Sequence, residues 1–87
     1  MGFSDRLADA VLRTAPACVG LDPHLPMLPR ALVGDLPPDG PDRRAAAAVA
    51  VDVFGHAVVD ALAGRVPVLK PQVAFFEALG AHGVAAL

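Results

Sequence analysis

The stretch Val66-Pro67-Val68-Leu69-Lys70-Pro71-Gln72-Val73-Ala74-Phe75-Phe76-Glu77 decides how the rest of the chain is read. Val66 to Lys70 is an apolar run closed by a cation, too short for a helix and rich in β-branched residues, so it reads as a buried strand. Lys70 is the only lysine in the chain, and a proline follows it. Parallel α/β proteins gather their ligands at the carboxyl ends of their strands, which is where Lys70 falls. Beyond it, Ala74 to Leu79 begins a helix punctuated by Gly80 and Gly83.

Upstream, Ala47, Val51, Phe54, Val58, Ala61 and Leu62 recur at helical spacing, so Arg43 to Leu62 reads as a helix with Asp42 as its N-cap. Gly64 then stands where a C′ residue would end it. From Pro23 to Pro41 the chain carries six of its nine prolines and cannot hold long regular structure; its leucines let it pack down as a loop with one helical turn. Before that loop, Ala17-Cys18-Val19-Gly20-Leu21 is a second compact apolar run, closed as a strand by Asp22-Pro23. Phe3 to Arg13 reads as a short amphipathic helix, with Ser4 as N-cap and Leu7 and Val11 on one face.

The order strand, loop, helix, strand, with nearly continuous apolar strands, implies a parallel sheet whose crossover helix packs on one face. Two such strands would leave both sheet edges open, so the unit needs further βα repeats to close a barrel or extend a sheet. Composition agrees. At 87 residues, 55% hydrophobic, with a mean hydropathy of +0.55, the chain carries more apolar surface than two layers of this size bury, which points to a piece of something larger.

The net charge of −2 and seven scattered Lys and Arg residues provide no basic stripe for a phosphate backbone, so nucleic acid is not an expected partner. A single cysteine, Cys18, excludes an internal disulfide framework and a four-cysteine zinc site. No uninterrupted apolar run approaches the roughly 20 residues of a membrane span, since the run from Ala45 stops at Asp52. Asp5, Arg6 and Asp9 break up any signal-peptide core, leaving cytoplasm as the expected location.

Asp22 follows the first strand as Lys70 follows the second, so a carboxylate and an ammonium come to one edge of the sheet. Each has a plain structural alternative: Asp22 as a turn residue beside proline, Lys70 as a strand-end lysine reaching to solvent. Asp52, His56 and Asp60 share a helix face, which fits a solvated surface better than a metal site built on one element. His24 lies in the loop over Asp22, within reach of a ligand, and Phe75 and Phe76 fit a core or an interface. Glu77 suits the first turn of the last helix. Gly-rich phosphate loops and a Gly-x-Ser-x-Gly elbow are absent, and Cys18, inside an apolar strand, reads as inert.

Cys18-Val19-Gly20-Leu21-Asp22-Pro23, followed by Val68-Leu69-Lys70-Pro71-Gln72-Val73-Ala74-Phe75-Phe76-Glu77, Gly80 and Gly83, resembles the orotidine 5′-phosphate decarboxylases, in particular the group with a long proline-rich connection after the first strand. The resemblance implies a (β/α)8 barrel that converts orotidine 5′-phosphate to UMP and CO2 in pyrimidine biosynthesis, without metal or organic cofactor, as a homodimer. It implies that Asp22 binds the ribose and that Lys70 is the first lysine of an alternating Lys-Asp-Lys-Asp array. A following strand would supply an Asp-x-Lys-x-x-Asp motif whose lysine is the proton donor. On this reading residues 1–87 are the N-terminal part of one barrel domain, inactive alone. The alternatives are a related phosphate-sugar decarboxylase or aldolase barrel, or a non-catalytic piece that associates through its strand edge.

Overall fold

The computed structural model describes residues 2–87. Two short strands, β1 (Cys18–Leu21) and β2 (Val68–Pro71), pair in parallel with the register Cys18 to Val68, Val19 to Leu69, Gly20 to Lys70 and Leu21 to Pro71. The ladder runs one bond further, because the Gln72 N–H donates to the Leu21 carbonyl at 2.9 Å. β2 starts two residues later than its apolar run suggests. Pro67 has no N–H to give a ladder, and the Val66 N–H is already committed to the Leu62 carbonyl at 3.3 Å.

Helix α1 (Phe3–Arg13) precedes β1, and between the strands come a 3-10 turn (Leu25–Met27), a single-turn helix α2 (Arg30–Val33) and the long crossover helix α3 (Pro41–Leu62). The proline-rich connection thus holds two short helical pieces where one was expected. After β2 come α4 (Val73–Glu77) and α5 (Gly80–Ala86), broken at Ala78 and Leu79, with Gly80 at φ 71 turning the chain. α3 ends as its sequence indicates: the C-cap is Ala63, and Gly64 takes the left-handed φ of 78 expected of a C′ residue.

The helix starts differ from expectation for a shared reason. Proline and glycine position the first turns, so the polar residues expected as caps fall one or two places inside. Pro41 sits at the first helical position of α3 with Gly40 as N-cap, which puts Asp42 in the first turn rather than at the cap. In α1 the cap is Gly2, whose N–H donates to Asp5 Oδ2 at 3.3 Å, and Ser4 lies inside the helix. Glu77 closes α4 instead of opening a helix.

The core lies between the sheet, α3 and the α4–α5 pair. Leu21, Leu28, Ala47, Ala48, Ala50, Val51, Phe76 and Leu79 are buried there, with Phe54 and Val58 packed against them. Small residues on α3 let the helix approach closely, and at Gly55 an added Cβ would sit 3.9 Å from the Leu21 side chain. Apolar residues of α3 are not confined to its buried face. Val49, Val53 and Val59 stay exposed on its other faces, a pattern that belongs to a helix with neighbours on several sides. By length and composition α3 is also apolar enough to cross a membrane, but Asp52 at its middle would cost about 3 kcal/mol at a bilayer centre. Its buried face packs on protein.

Candidate active site at the carboxyl ends of the strands

Alternation along the strands sorts their side chains onto two faces. Val19 and Leu21 of β1, with their register partners Leu69 and Pro71, lie on the side of α3, and Leu21 is buried there. Cys18, Gly20, Val68 and Lys70 therefore lie on the opposite face, and continuing β1 by one residue brings Asp22 to the same side. That face is open: Cys18, Gly20, Asp22 and Lys70 are all exposed. Cys18 is thus not enclosed within an apolar strand as its neighbours suggest. Its register partner is Val68 on the uncovered side of the sheet.

Asp22 and Lys70 are brought to one face and one edge, though not directly opposite each other. Lys70 pairs with Gly20, two residues before Asp22, which puts the two backbones about 8 Å apart given a strand spacing near 4.8 Å and a rise near 3.3 Å. Gly20 makes this offset useful. With no side chain there, the Asp22 carboxylate folds back over the strand, and a Cβ built on Gly20 would meet Asp22 Oδ1 at 3.7 Å and Oδ2 at 3.8 Å. The carboxylate lies beside the strand position that faces Lys70. The two do not form one of the ion pairs of the described residues, which are Arg13 with Asp9, Arg30 with Asp35, Arg43 with Asp39, and His56 with Asp52.

The turn carrying Asp22 is well braced. Pro23 is fully buried, the His24 N–H donates to the Asp22 carbonyl at 2.8 Å, and the Met27 N–H donates to the His24 carbonyl at 2.8 Å. The His24 ring stands against the Phe75 ring, with centroids 5.9 Å apart and planes tilted by 56°. Phe76, one residue on, points into the core, so adjacent phenylalanines divide between rim and core as a helical turn requires. The role of Gly20 and the contact between His24 and Phe75 are not legible from motif spacing, because both depend on which strand position faces which.

Asp52, His56 and Asp60 remain on α3, away from this edge. His56 Nδ1 donates to the Asp52 carbonyl at 2.9 Å and lies 3.1 Å from Asp52 Oδ1. That backbone bond, followed by the charge of Asp52, raises the imidazole pKa above its ordinary 6.5. Among the described residues no group of three or more His, Cys, Asp or Glu is arranged to hold a metal ion. An apolar groove of about 380 Å³, lined by Leu21, Val51, Leu69 and Phe76, lies on the α3 side of the sheet, opposite Asp22 and Lys70.

Two adjacent parallel strands joined by a crossover helix, with charged side chains gathered where the strands end, form the unit repeated in parallel α/β folds, the (β/α)8 barrel among them, whose sites lie at that end. Comparison with curated proteins finds relatives that share one name. The chain is 43% identical over 88 residues to an orotidine 5′-phosphate decarboxylase from Rhodopirellula baltica, 40% identical over 85 residues to one from Streptomyces coelicolor, and 44% identical over 86 residues to one from Salinispora arenicola. These matches cover 98–100% of the chain but only 27–28% of each relative. In sequence, then, the chain is homologous to a segment of the orotidine 5′-phosphate decarboxylases and spans little more than a quarter of their length. No protein-family model matches it, and no solved structure matches it significantly.

Proposed function

We propose that this chain is the N-terminal part of an orotidine 5′-phosphate decarboxylase and carries the first two strands of its barrel. The observation that carries the reading is the placement of Asp22 and Lys70 on one open face at the carboxyl ends of adjacent parallel strands. In the reaction, the bond from C6 to the carboxylate breaks, CO2 leaves, and the electron pair stays on C6 until a proton arrives. Preorganised charges in a water-poor site stabilise such a carbanion. Asp22 holds the ribose. Lys70 supplies one fixed positive charge and orients its neighbours, while the proton comes from a lysine on a later strand.

The open inner face of the sheet, and the apolar faces of α3 left exposed, support a larger assembly in which further βα repeats cover both. On this reading the complete enzyme is a cytoplasmic homodimer that acts on orotidine 5′-phosphate without metal or organic cofactor. It has neither nucleic-acid nor membrane partners.

The test is a chimera in which this chain replaces the matching segment of the Rhodopirellula baltica decarboxylase. The chimera is expected to form UMP and CO2, and Lys70→Ala within it to lower kcat by about 10²-fold or more. The 87-residue chain alone is expected to form no UMP. A folded chimera without turnover, turnover that survives Lys70→Ala, or UMP formation by the chain alone would each refute the reading.

A further inference from the structure

We propose that His24 is a positioning residue for Asp22, acting through its ring contact with Phe75. The inference rests on the reading that Asp22 and Lys70 share one substrate site. Two connections leave the sheet at the same edge: Asp22–Pro23–His24 after β1, and Gln72 to Phe75 after β2. They are tied together at two points. At the base, the Gln72 N–H donates to the Leu21 carbonyl at 2.9 Å. At the rim, the His24 and Phe75 rings meet at 5.9 Å. Asp22 lies on the first connection between these two ties, one residue after Leu21 and two before His24.

The backbone of this turn is held at its base by the bond from Gln72 to Leu21 and beyond His24 by the Met27 N–H, which donates to the His24 carbonyl at 2.8 Å. Pro23 is fully buried, and the His24 N–H closes a tight turn onto the Asp22 carbonyl at 2.8 Å, so the position of the His24 ring and the direction of the Asp22 side chain are coupled through three consecutive residues. The carboxylate itself has no hydrogen-bond partner among the described residues and lies over Gly20 on an exposed residue. What keeps it there is the turn, and the ring pair ties the turn's far end to the first turn of α4, which follows the strand bearing Lys70. Removing either ring takes away the side-chain contact between the turn and α4 and leaves the core and the turn's backbone bonds in place, because His24 is exposed and Phe76 carries the buried contact.

The experiment uses the chimera in which this chain replaces the matching segment of the Rhodopirellula baltica decarboxylase. It compares His24→Ala, Phe75→Leu, the double variant, His24→Phe and Asp22→Ala for KM, kcat and thermal midpoint. Phe75→Leu retains apolar bulk and removes only the ring face, which guards against a variant that fails to fold. An aromatic pair of this kind is worth about three- to tenfold in an equilibrium. His24→Ala and Phe75→Leu are expected to raise KM for orotidine 5′-phosphate by about that factor, with kcat and thermal midpoint close to those of the parent. The double variant should be no worse than either single one, and His24→Phe should restore KM. Impaired Asp22→Ala beside parental kinetics in His24→Ala would overturn the positioning role and leave the shared site standing. Multiplicative losses, or no recovery in His24→Phe, would likewise overturn it. Parental behaviour of Asp22→Ala would remove the site reading itself, and with it this inference.

Discussion

Two glycines in helices make opposing predictions from the same substitution. Gly55 lies inside α3, and an added methyl there would meet the Leu21 side chain at 3.9 Å, an ordinary contact. Alanine is favoured over glycine in a helix interior by about 1 kcal/mol, so Gly55→Ala is expected to stabilise by about that amount. Gly83 lies inside α5 and is buried; an added methyl would overlap the Phe76 carbonyl oxygen and sit 2.6 Å from Leu79 Cβ. Phe76 and Leu79 are core residues at 3% and 8% exposure, so the clash meets backbone and packed side chain rather than a flexible tip. Forcing one methyl into such a place costs about 1–3 kcal/mol, which exceeds the gain in helix propensity over most of that range. The net for Gly83→Ala is then a loss of up to about 2 kcal/mol. In a domain of this size each kcal/mol moves the midpoint by about 4–8 °C, so thermal unfolding followed by circular dichroism separates the two variants in opposite directions. Equal stability of the two, or a Gly83→Ala midpoint above the parent, would refute the close approach of α5 to α4.

Other expectations follow from the core, the open face and the α3 surface. Phe76→Ala should cost about 3–5 kcal/mol, enough to leave a chain this small largely unfolded in urea titrations. Cys18 should be labelled by a maleimide in the folded 87-residue chain as completely as in the urea-unfolded chain; protection in the folded chain would contradict the open face. The raised pKa of His56 means that its pairing contributes stability in full below the ordinary value of 6.5, and that this contribution is lost as pH rises through the higher folded-state value. In an NMR titration Asp52→Asn should lower the His56 pKa only in part, because the bond to the Asp52 carbonyl, the larger cause, survives the substitution.

Much of this arrangement is legible in the residues. The two apolar runs, the proline-rich connection between them and the glycine after Leu62 mark the strands and the crossover helix, because short β-branched runs and C′ glycines have local causes. The caps were less legible. Ser4 and Asp42 have the right chemistry, but Gly2 and the Gly40-Pro41 pair set where the first turns begin. The stripe from Ala47 to Leu62 marks α3 as a helix, but the exposed Val49, Val53 and Val59 leave the choice of its buried face to the neighbours.

The sequence by itself determined that a carboxylate and an ammonium would stand at the ends of two strands, since Asp22 and Lys70 each terminate an apolar run. Only the tertiary structure decided that they share a face. That depends on a register in which Lys70 opposes Gly20, and in a pleated strand a shift of one residue would have sent the lysine to the α3 side of the sheet. The Asp22 carboxylate lies over Gly20 within one segment, but the register sets Lys70 beside that position, and the tertiary fold brings His24 to Phe75. Strand ends are a local property of the chain. Which side chains meet across them is fixed by pairing between segments nearly fifty residues apart.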